Sequence, residues 1–346
     1  MYRRAYVLLV GVATVMGVLA IGTAISVGEG LRDPEGFLGP AWVRLPMLVF
    51  GALLLDMLPR ALWQGKGKFP MMKQVVIDRW KSHWNRERIT LVVMGIVCFY
   101  ITYVCYRNLK SFLPQVYDAK FDRPLDLLDQ AIFFGNEPAV VLHTVFGTSV
   151  MAFALSLIYL WFLPMVPLLL TGWLIWSKNI SYGYWFATSQ AIAWSLGTAS
   201  YYALPATGPG FAYPWRYTEL AHTPTTDLME SLSYGRVAVM WGGVDGVQSV
   251  AAFASLHTAI TLLVALMAQY TIRVRWVHWV LWVNFGLTVI ATLYFGWHYV
   301  ADDIAGIVIA VLAFYLGGLA SGQKFDRHGL SSHPTTTTSK VPVERD

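Results

Sequence analysis

The residues best suited to chemistry are two histidines and an aspartate in the last third of the chain. His298 and Asp302 are four positions apart, so on a helix they would lie on one face. Asp302 could then hold the ring of His298 in one tautomer and one orientation. A second histidine, His257, stands at the start of the preceding apolar run. Two solvated residues at a helix end would be the simpler interpretation of His298 and Asp302, and His257 weighs against it.

Three kinds of chemistry could use this set. In the first, a histidine takes up a phosphoryl group while the second histidine protonates the leaving oxygen. In the second, His257, His298 and Asp302 bind a divalent metal as a two-histidine, one-carboxylate set. In the third, the same residues relay protons in a proton-coupled transporter. Residue chemistry alone favours phosphoryl transfer and leaves the other two open.

The composition indicates that these residues belong to a membrane protein. Of the 346 residues, 56% are hydrophobic and 13% are charged, about half the charged fraction of a soluble domain. The charges are gathered between long apolar stretches, which is typical of a polytopic membrane protein. The net charge of +5 is modest. No basic stripe interleaved with aromatic residues indicates a surface for DNA or RNA, so no nucleic-acid partner is expected.

The apolar runs predict an all-α, polytopic membrane helix bundle with about eight transmembrane helices. A run at 140–176 is too long for one upright span, and Pro164 and Pro167 interrupt it. It therefore predicts a surface-lying helix followed by a kinked span ending at Trp176. The predicted spans are 5–27, 42–58, 91–106, the one ending at Trp176, 182–204, 248–270, 276–295 and 299–319.

Connections between these spans complete the predicted organisation. Two additional N-terminal helices occupy 1–60 and are followed by a basic cytoplasmic loop at 61–90. Six spans then form the catalytic core at 91–320, and a disordered cytoplasmic tail covers 321–346. A mixed-charge loop should follow the third span, and a long loop rich in Gly, Pro and aromatic residues should cover 205–247.

The Lys and Arg residues predict how the bundle is oriented. With eight spans, the N-terminal arginines, the basic loop 61–90 and the basic tail fall on one side, which the positive-inside rule makes cytoplasmic. His257 and His298 then lie on the opposite, extracytoplasmic side. Two independent features, the number of spans and the distribution of basic residues, thus agree in placing both histidines on one face.

In this context the sequence resembles the type-2 phosphatidic-acid phosphatase superfamily of integral membrane enzymes. Ser255-Leu256-His257 is similar to the second motif of that family, often Pro-Ser-Gly-His or Pro-Ser-Leu-His. His298-Tyr299-Val300-Ala301-Asp302, followed by Gly306, is similar to the third motif. The segment 201–209 and the overall pattern look closest to the branch of inositol phosphorylceramide synthase and sphingomyelin synthase. The resemblance covers about 91–319.

The resemblance implies a six-helix phosphatase-like core and a role for each of the three residues. His298 would be the nucleophile that forms a phosphohistidine intermediate, and Asp302 would orient it and stabilise its positive charge. His257 would protonate the leaving alkoxide and then deprotonate the acceptor. No metal and no cofactor are implied.

The sequence departs from the family pattern at the residues that would hold the phosphate. The first motif, in which six residues separate a Lys from an Arg-Pro pair, is absent, since Lys120 lies only three positions before Arg123-Pro124. Ala291-Thr292 stands where the family has Ser-Arg, and Ala254 replaces the proline of the second motif. A phosphate needs fixed donors in a shielded site. The candidate phosphate-binding residues on the extracytoplasmic face are Arg107, Lys110, Arg216 and Arg236, with Arg107 and Lys110 preferred.

We therefore expect a multi-pass enzyme of a bacterial plasma membrane whose active site faces outside. Its substrate would be a lipid phosphate or phospholipid, and its acceptor an alcohol or polyol such as inositol. Leu256, Tyr299 and the long loop 205–247 favour transfer of a phosphorylated head group over hydrolysis by a lipid or isoprenoid phosphatase. A proton-coupled transporter is the alternative from another class.

Overall fold

The computed structural model describes residues 3–34, 40–117, 120–177, 179–241, 247, 250–325 and 335–336. Nearly all of these residues are helical. In chain order the helices are α1 (Arg3–Val27), α2 (Ala41–Gln64), α3 (Phe69–His83), α4 (Arg86–Val116), α5 (Asp122–Ile132), α6 (Pro138–Phe146), α7 (Val150–Trp176), α8 (Ile180–Ala203), α9 (Pro209–Ala212), α10 (Pro224–Met240), α11 (Leu256–Thr271), α12 (Arg275–Tyr294) and α13 (Val300–Ala320). A short 3-10 helix covers Pro214–Tyr217, and Gln323–Lys324 pairs with Thr335–Thr336 in a two-residue antiparallel ladder.

The prediction of a polytopic helix bundle is confirmed. Six described helices, α1, α2, α4, α7, α12 and α13, are long and apolar enough to cross a membrane. The other two predicted spans correspond to α8 and α11. Helix α11 is apolar but has only 16 residues. Helix α8 carries several polar residues such as Thr188 and Gln190, and both side chains are completely buried.

Helix α8 is the centre of the bundle. It packs against α1, α4, α7, α11 and α13, so protein surrounds it on most sides. Because protein and not lipid contacts α8, its sequence can be more polar than that of a lipid-facing span. The first two helices are attached outside this centre, α1 against α4 and α8, and α2 against α7 and α3.

Hydrogen bonds identify the two ends of the bundle. At one end Asn108, near the end of α4, exchanges two hydrogen bonds with the backbone of Arg32, which follows α1. At the other end the buried Arg88 donates to the carbonyl oxygen of Ser177 at 2.7 Å, and Gln323 donates to Ser181 at 3.0 Å. Successive long helices alternate between these ends. His257 and His298 consequently lie at the end marked by Arg32.

Several connections contain more helix than the sequence indicated. The basic loop 61–90 contains α3, the mixed-charge loop after the third span is α5, and the loop 205–247 contains α9, the 3-10 helix and α10. These helices are short and pack on the ends of the long spans, so their apolar residues form no span-length run. The run 140–176 is divided into α6 and α7, but the break lies at 147–149. Pro164 and Pro167, which were expected to interrupt the run, lie inside the continuous helix α7.

Two predictions fall wholly or partly outside the described residues. The span predicted from Gln248 begins as helix at Leu256, and residues 248–249 are not among those described. The tail predicted to be disordered is described only for residues 321–325 and 335–336.

Candidate active site

His298 lies in the tight connection between α12 and α13. The chain leaves α12 at Tyr294 and turns at Gly296, whose φ is +70°. A Cβ atom at Gly296 would lie 2.3 Å from the ring of Tyr217, so only glycine fits this turn. The Trp297 amide then donates to the Thr292 carbonyl oxygen at 2.9 Å. This turn holds His298 just ahead of the first residue of α13 with 5% of its surface exposed.

Asp302 lies beside His298, as the spacing predicted. The distance from His298 Nδ1 to Asp302 Oδ2 is 3.4 Å, and the Asp302 side chain is completely buried. The same Oδ2 accepts a hydrogen bond of 2.8 Å from the Tyr299 amide, which fixes the carboxylate at the start of α13. Asp302 therefore lies beside the Nδ1 edge of the imidazole, within reach of orienting the ring.

The surroundings of His298 favour the neutral imidazole. Burial lowers the pKa of His298 to about 4, and the nearby charge of Lys110 adds to this effect. The Asp303 carboxylate and a hydrogen bond with the backbone of Ala252 act in the opposite direction. A ring with this pKa is unprotonated at neutral pH, as a nitrogen nucleophile must be.

His257 is brought to the same place by α11. It lies in the first turn of that helix, whose N-cap, Ser255, accepts a hydrogen bond from the Thr258 amide. Its ring stacks on Tyr159 of α7, with centroids 4.5 Å apart, and also contacts Phe162. The centroids of the two histidine rings are 6.0 Å apart. A single phosphoryl group could therefore contact both rings.

Lys110 is the predicted phosphate-binding residue whose charge acts on both histidines. Its Nζ is 5.3 Å from the centroid of the Tyr201 ring and 5.8 Å from that of Tyr106, so the cation faces two aromatic rings. Arg107, one turn earlier on α4, donates to the Val247 carbonyl oxygen at 3.1 Å. Both basic residues thus lie at the end of the bundle that holds the histidines, and the charge of Lys110 acts on His298.

Arg216 and Arg236 lie in different surroundings. Arg216 forms ion pairs with Asp126 at 2.7 Å and with Glu137 at 2.9 Å, so two carboxylates already compensate its charge. Arg236, on α10, is partly buried near Asp122, and its Nε has no hydrogen-bond partner among the described residues. Of these two arginines, Arg236 is the one with hydrogen-bonding capacity still unused.

The sequence interpretation missed the carboxylates of α5. Asp122, Asp126 and Asp129 are all buried and lie on one face of that helix. Asp122 Oδ1 accepts hydrogen bonds from the amides of Thr207 and Gly208, which anchors the chain after α8. The signal was present in the spacing of the three aspartates at i, i+4 and i+7, which is a helical face. In a segment interpreted as a loop this spacing had no meaning.

Asp129 connects α5 to the start of α13. It accepts a hydrogen bond from the Val300 amide at 3.1 Å, the first amide of the helix that follows His298. Together with Glu137, Tyr217 and His298 it lines a cavity of about 10 Å³, large enough for one water molecule. Burial raises the pKa of Asp129 to about 7, and the charges of Asp302, Asp126 and Asp303 raise it as well.

The raised pKa of Asp129 predicts a pH-dependent stability. In the unfolded chain an aspartate ionises near pH ~4. The folded state binds this proton more tightly, so the stability that Asp129 contributes is present below about pH 4 and is lost as pH rises towards 7. Asp129→Asn keeps an acceptor for Val300 and removes the charge. Between pH 5 and 8 we expect the melting temperature of this variant to fall less than that of the wild type. The difference should be roughly 2 °C for each kcal/mol of unfolding free energy that the wild type loses through Asp129.

Thermal unfolding in one detergent across this pH range is the measurement. Asp56→Asn, which removes a buried carboxylate on α2 paired with Arg79, is the matched control. Parallel pH dependences for the wild type and Asp129→Asn would contradict the prediction.

Comparison with models of protein families shows which family the chain belongs to. A family model described as the PAP2 superfamily matches residues 123–316, which is more than half of the chain. The chain belongs to the PAP2 superfamily. It is therefore an enzyme of the phosphatase and phosphotransferase type. Comparisons with curated proteins and with solved structures found no match.

Superfamily membership agrees with the resemblance seen in the motifs. The matched segment contains His257, His298 and Asp302, whereas Arg107 and Lys110 precede it. The more detailed likeness to the inositol phosphorylceramide synthase branch stays a prediction. Within the described residues, no three His, Cys, Asp or Glu side chains form a group that could hold a metal ion together.

Proposed function

We propose that this PAP2 protein is an integral membrane phosphotransferase that moves a phosphorylated lipid head group through a phosphohistidine intermediate. The observation that carries the proposal is the set of His298, Asp302 and His257 at one end of a membrane bundle. The two rings are 6.0 Å apart, and Asp302 lies 3.4 Å from Nδ1 of His298. Each of the three residues has a role in the two half-reactions.

In the first half-reaction Nε2 of His298 attacks phosphorus, and the bond from phosphorus to the leaving oxygen breaks. His257 gives its proton to that oxygen, so an alcohol leaves rather than an alkoxide. Asp302 holds the Nδ1 proton and stabilises the positive ring of the phosphohistidine. In the second half-reaction His257 takes the proton of the acceptor hydroxyl, whose oxygen attacks phosphorus and releases neutral His298.

Lys110 is proposed to compensate the negative charge of the phosphoryl group. It lies within electrostatic reach of His298 and has no carboxylate partner among the described residues, in contrast to Arg216. Arg107 is the second choice on the same helix and Arg236 the third. This arrangement would replace the arginines that the family motifs place in the site.

Removal of the Lys110 charge should therefore slow the reaction. For Lys110→Gln we expect a fall in kcat/KM of about 10²- to 10³-fold, shared between weaker binding and slower chemistry. Arg216→Gln is the matched control, since its charge is already paired, and should change kcat/KM by less than about tenfold. Steady-state kinetics on a phospholipid donor measure both. Normal kinetics in Lys110→Gln and Arg107→Gln would move the role to Arg236 or Arg216.

Transfer and hydrolysis differ only in what reaches the phosphohistidine. Support for transfer comes from the segment 205–241, which covers this end of the bundle. Helix α10 packs on α7 through a hydrogen bond of 2.8 Å between Thr225 and Ser156. Trp297, next to the nucleophile, also packs on Phe211 of this segment, with ring centroids 5.3 Å apart. Such a cover would limit the access of bulk water.

The proposal is tested by incubating the purified enzyme with a labelled phospholipid, with and without inositol or another alcohol. The expected result is a labelled product that forms only when the acceptor is present. Rapid release of free phosphate from a phosphomonoester, with no acceptor-dependent product, would instead establish a lipid or isoprenoid phosphatase. Loss of activity to a chelator and recovery with zinc or manganese would favour the metal interpretation.

The proposed location is a bacterial plasma membrane, with the site on the outer side and the donor in the outer leaflet. Reporter fusions test the orientation: those after Lys178 and after Arg275 should report cytoplasm, and those within 205–247 the outside. A cytoplasmic signal from 205–247 would overturn the orientation. A proton-coupled transporter, the remaining alternative, would form no phosphorylated protein.

A further inference from the structure

Asp303 is a second buried carboxylate at the site, and the two half-reactions do not use it. It directly follows Asp302, a position in the sequence that is typical of a charge at a helix N-terminus. It does lie in the first turn of α13, but only 4% of it is exposed. Thr258 of α11 donates to Asp303 Oδ1 at 2.5 Å. The Thr292 hydroxyl of α12, which donates to the Val289 carbonyl oxygen at 2.7 Å, shares its proton in a longer contact of 3.2 Å with Asp303 Oδ2. One carboxylate thus joins three helices.

These contacts lie next to each catalytic residue. Thr258 directly follows His257, and Asp303 directly follows Asp302. The carbonyl oxygen of Thr292 accepts a hydrogen bond from the amide of Trp297, the residue before His298. The Ser255 amide also donates to the Asp302 carbonyl oxygen at 2.9 Å. Gly306 permits this close approach, because a Cβ atom there would lie 2.4 Å from the Ser255 carbonyl oxygen. The N-terminus of α11 is therefore fastened to that of α13.

The charge of Asp303 also acts on His298. It raises the pKa of His298 against the effects of burial and of Lys110. Thr292 stands where the motif of the resembling family has an arginine. In this chain that position supplies a neutral hydroxyl to a carboxylate, so the local charge is more negative than an arginine would make it. A more negative surrounding stabilises the positive ring of a phosphohistidine.

We propose that Asp303, held by Thr258 and Thr292, is a positioning residue. It keeps His257 and His298 in fixed positions relative to each other and stabilises the positive charge on phosphorylated His298. This inference rests on the proposed phosphohistidine mechanism. Asp303 touches no reacting atom in this account. It acts on His257 through Thr258 and on His298 through its charge.

Two substitutions separate the two effects. Asp303→Asn removes the charge and keeps an oxygen acceptor for a threonine. We expect kcat to fall about 10- to 100-fold with KM within about threefold, the range for residues that support a reacting group. The acid limb of the kcat/KM profile should move to lower pH, since loss of a nearby negative charge lowers the pKa of the neutral nucleophile.

Other charged and titratable groups around His298 stay in place in this variant. They are Asp302 on α13, His257 on α11, Lys110 on α4 and Asp129 on α5. A shift of the acid limb between the wild type and Asp303→Asn can therefore be assigned to position 303.

Thr258→Val keeps the carboxylate and the backbone hydrogen bond from Ser255 to Asp302, and removes the hydroxyl through which Asp303 acts on α11. Its kcat should fall more with a poor leaving group than with a good one, because displacement of His257 weakens the general acid. Thr292→Val removes the second donor and provides the test of the carboxylate if Asp303→Asn does not accumulate. Asp56→Asn, which alters a buried carboxylate on α2 paired with Arg79, is the control for a purely structural loss.

Purified full-length variants are compared in kcat, KM, pH profile and melting temperature. The proposal is overturned if Asp303→Asn and Thr292→Val retain the wild-type kcat and acid limb, or if they lose only thermal stability as Asp56→Asn does. Failure of the underlying mechanism would be visible separately, because the wild type itself would then form no phosphorylated enzyme.

Discussion

Replacement of His298 by alanine is expected to abolish phosphoryl transfer, with a loss in kcat of about four orders of magnitude or more. The reason is that no covalent intermediate can form without the imidazole, and His257, whose ring centroid lies 6.0 Å away, is the general acid in the proposed mechanism. Asp302→Asn should lose nearly as much, since an amide can present its NH₂ to Nδ1 and favour the wrong tautomer. Turnover of a labelled phospholipid by purified protein measures both.

The control for His298→Ala is His222→Ala. His222 is an exposed histidine at the same end of the bundle, where it pairs with Asp227. The His222→Ala substitution should leave activity unchanged, and all variants should elute as monodisperse, folded protein. Residual turnover in His298→Ala within tenfold of the wild type would contradict the assignment of His298 as the nucleophile.

Replacement of His257 by alanine should give the second largest effect, and one that depends on the leaving group. With an alkyl phosphate or phospholipid we expect a loss of about 10²- to 10⁴-fold, the usual contribution of a general acid. A substrate with a good leaving group, such as an aryl phosphate, needs no proton at the oxygen. The same variant should therefore retain a much larger share of activity on that substrate.

Tyr159→Leu provides a comparison that leaves His257 in place and removes the ring that stacks on it at 4.5 Å. The loss of activity in Tyr159→Leu should be smaller than in His257→Ala. It should likewise be larger with a poor leaving group than with a good one. Equal losses on good and poor leaving groups in His257→Ala would show that His257 is not the acid and acts in binding instead.

The part of the site that depends on local structure could be predicted from the sequence. His298 and Asp302 are joined by one turn of helix, so their spacing alone placed them side by side. His257 is 41 positions from His298. It could be placed nearby because spans that alternate across a membrane bring every second connection to the same side. The break before α7 was similarly visible in an apolar run too long for one span.

The part that depends on tertiary contacts could not be predicted. Nothing in the sequence shows that Arg216 is paired with Asp126 and Glu137, so the sequence could not place it behind Arg236 as a candidate phosphate ligand. Asp303 looked like an ordinary helix-end charge, because its threonine partners come from two other helices. The helices α5 and α10 were interpreted as loops, since they are packed on the ends of the bundle and carry no span-length apolar run.

The central claim is that His298 carries the phosphoryl group, and trapping of the phosphorylated protein tests it most directly. The enzyme is mixed with a donor labelled in the phosphoryl group and quenched in alkali, which preserves phosphohistidine. We expect a label on the protein that is stable to alkali, released by acid, absent from His298→Ala and present in His257→Ala when the donor has a good leaving group. An unlabelled wild-type protein during active turnover, or a label that persists in His298→Ala, would contradict it.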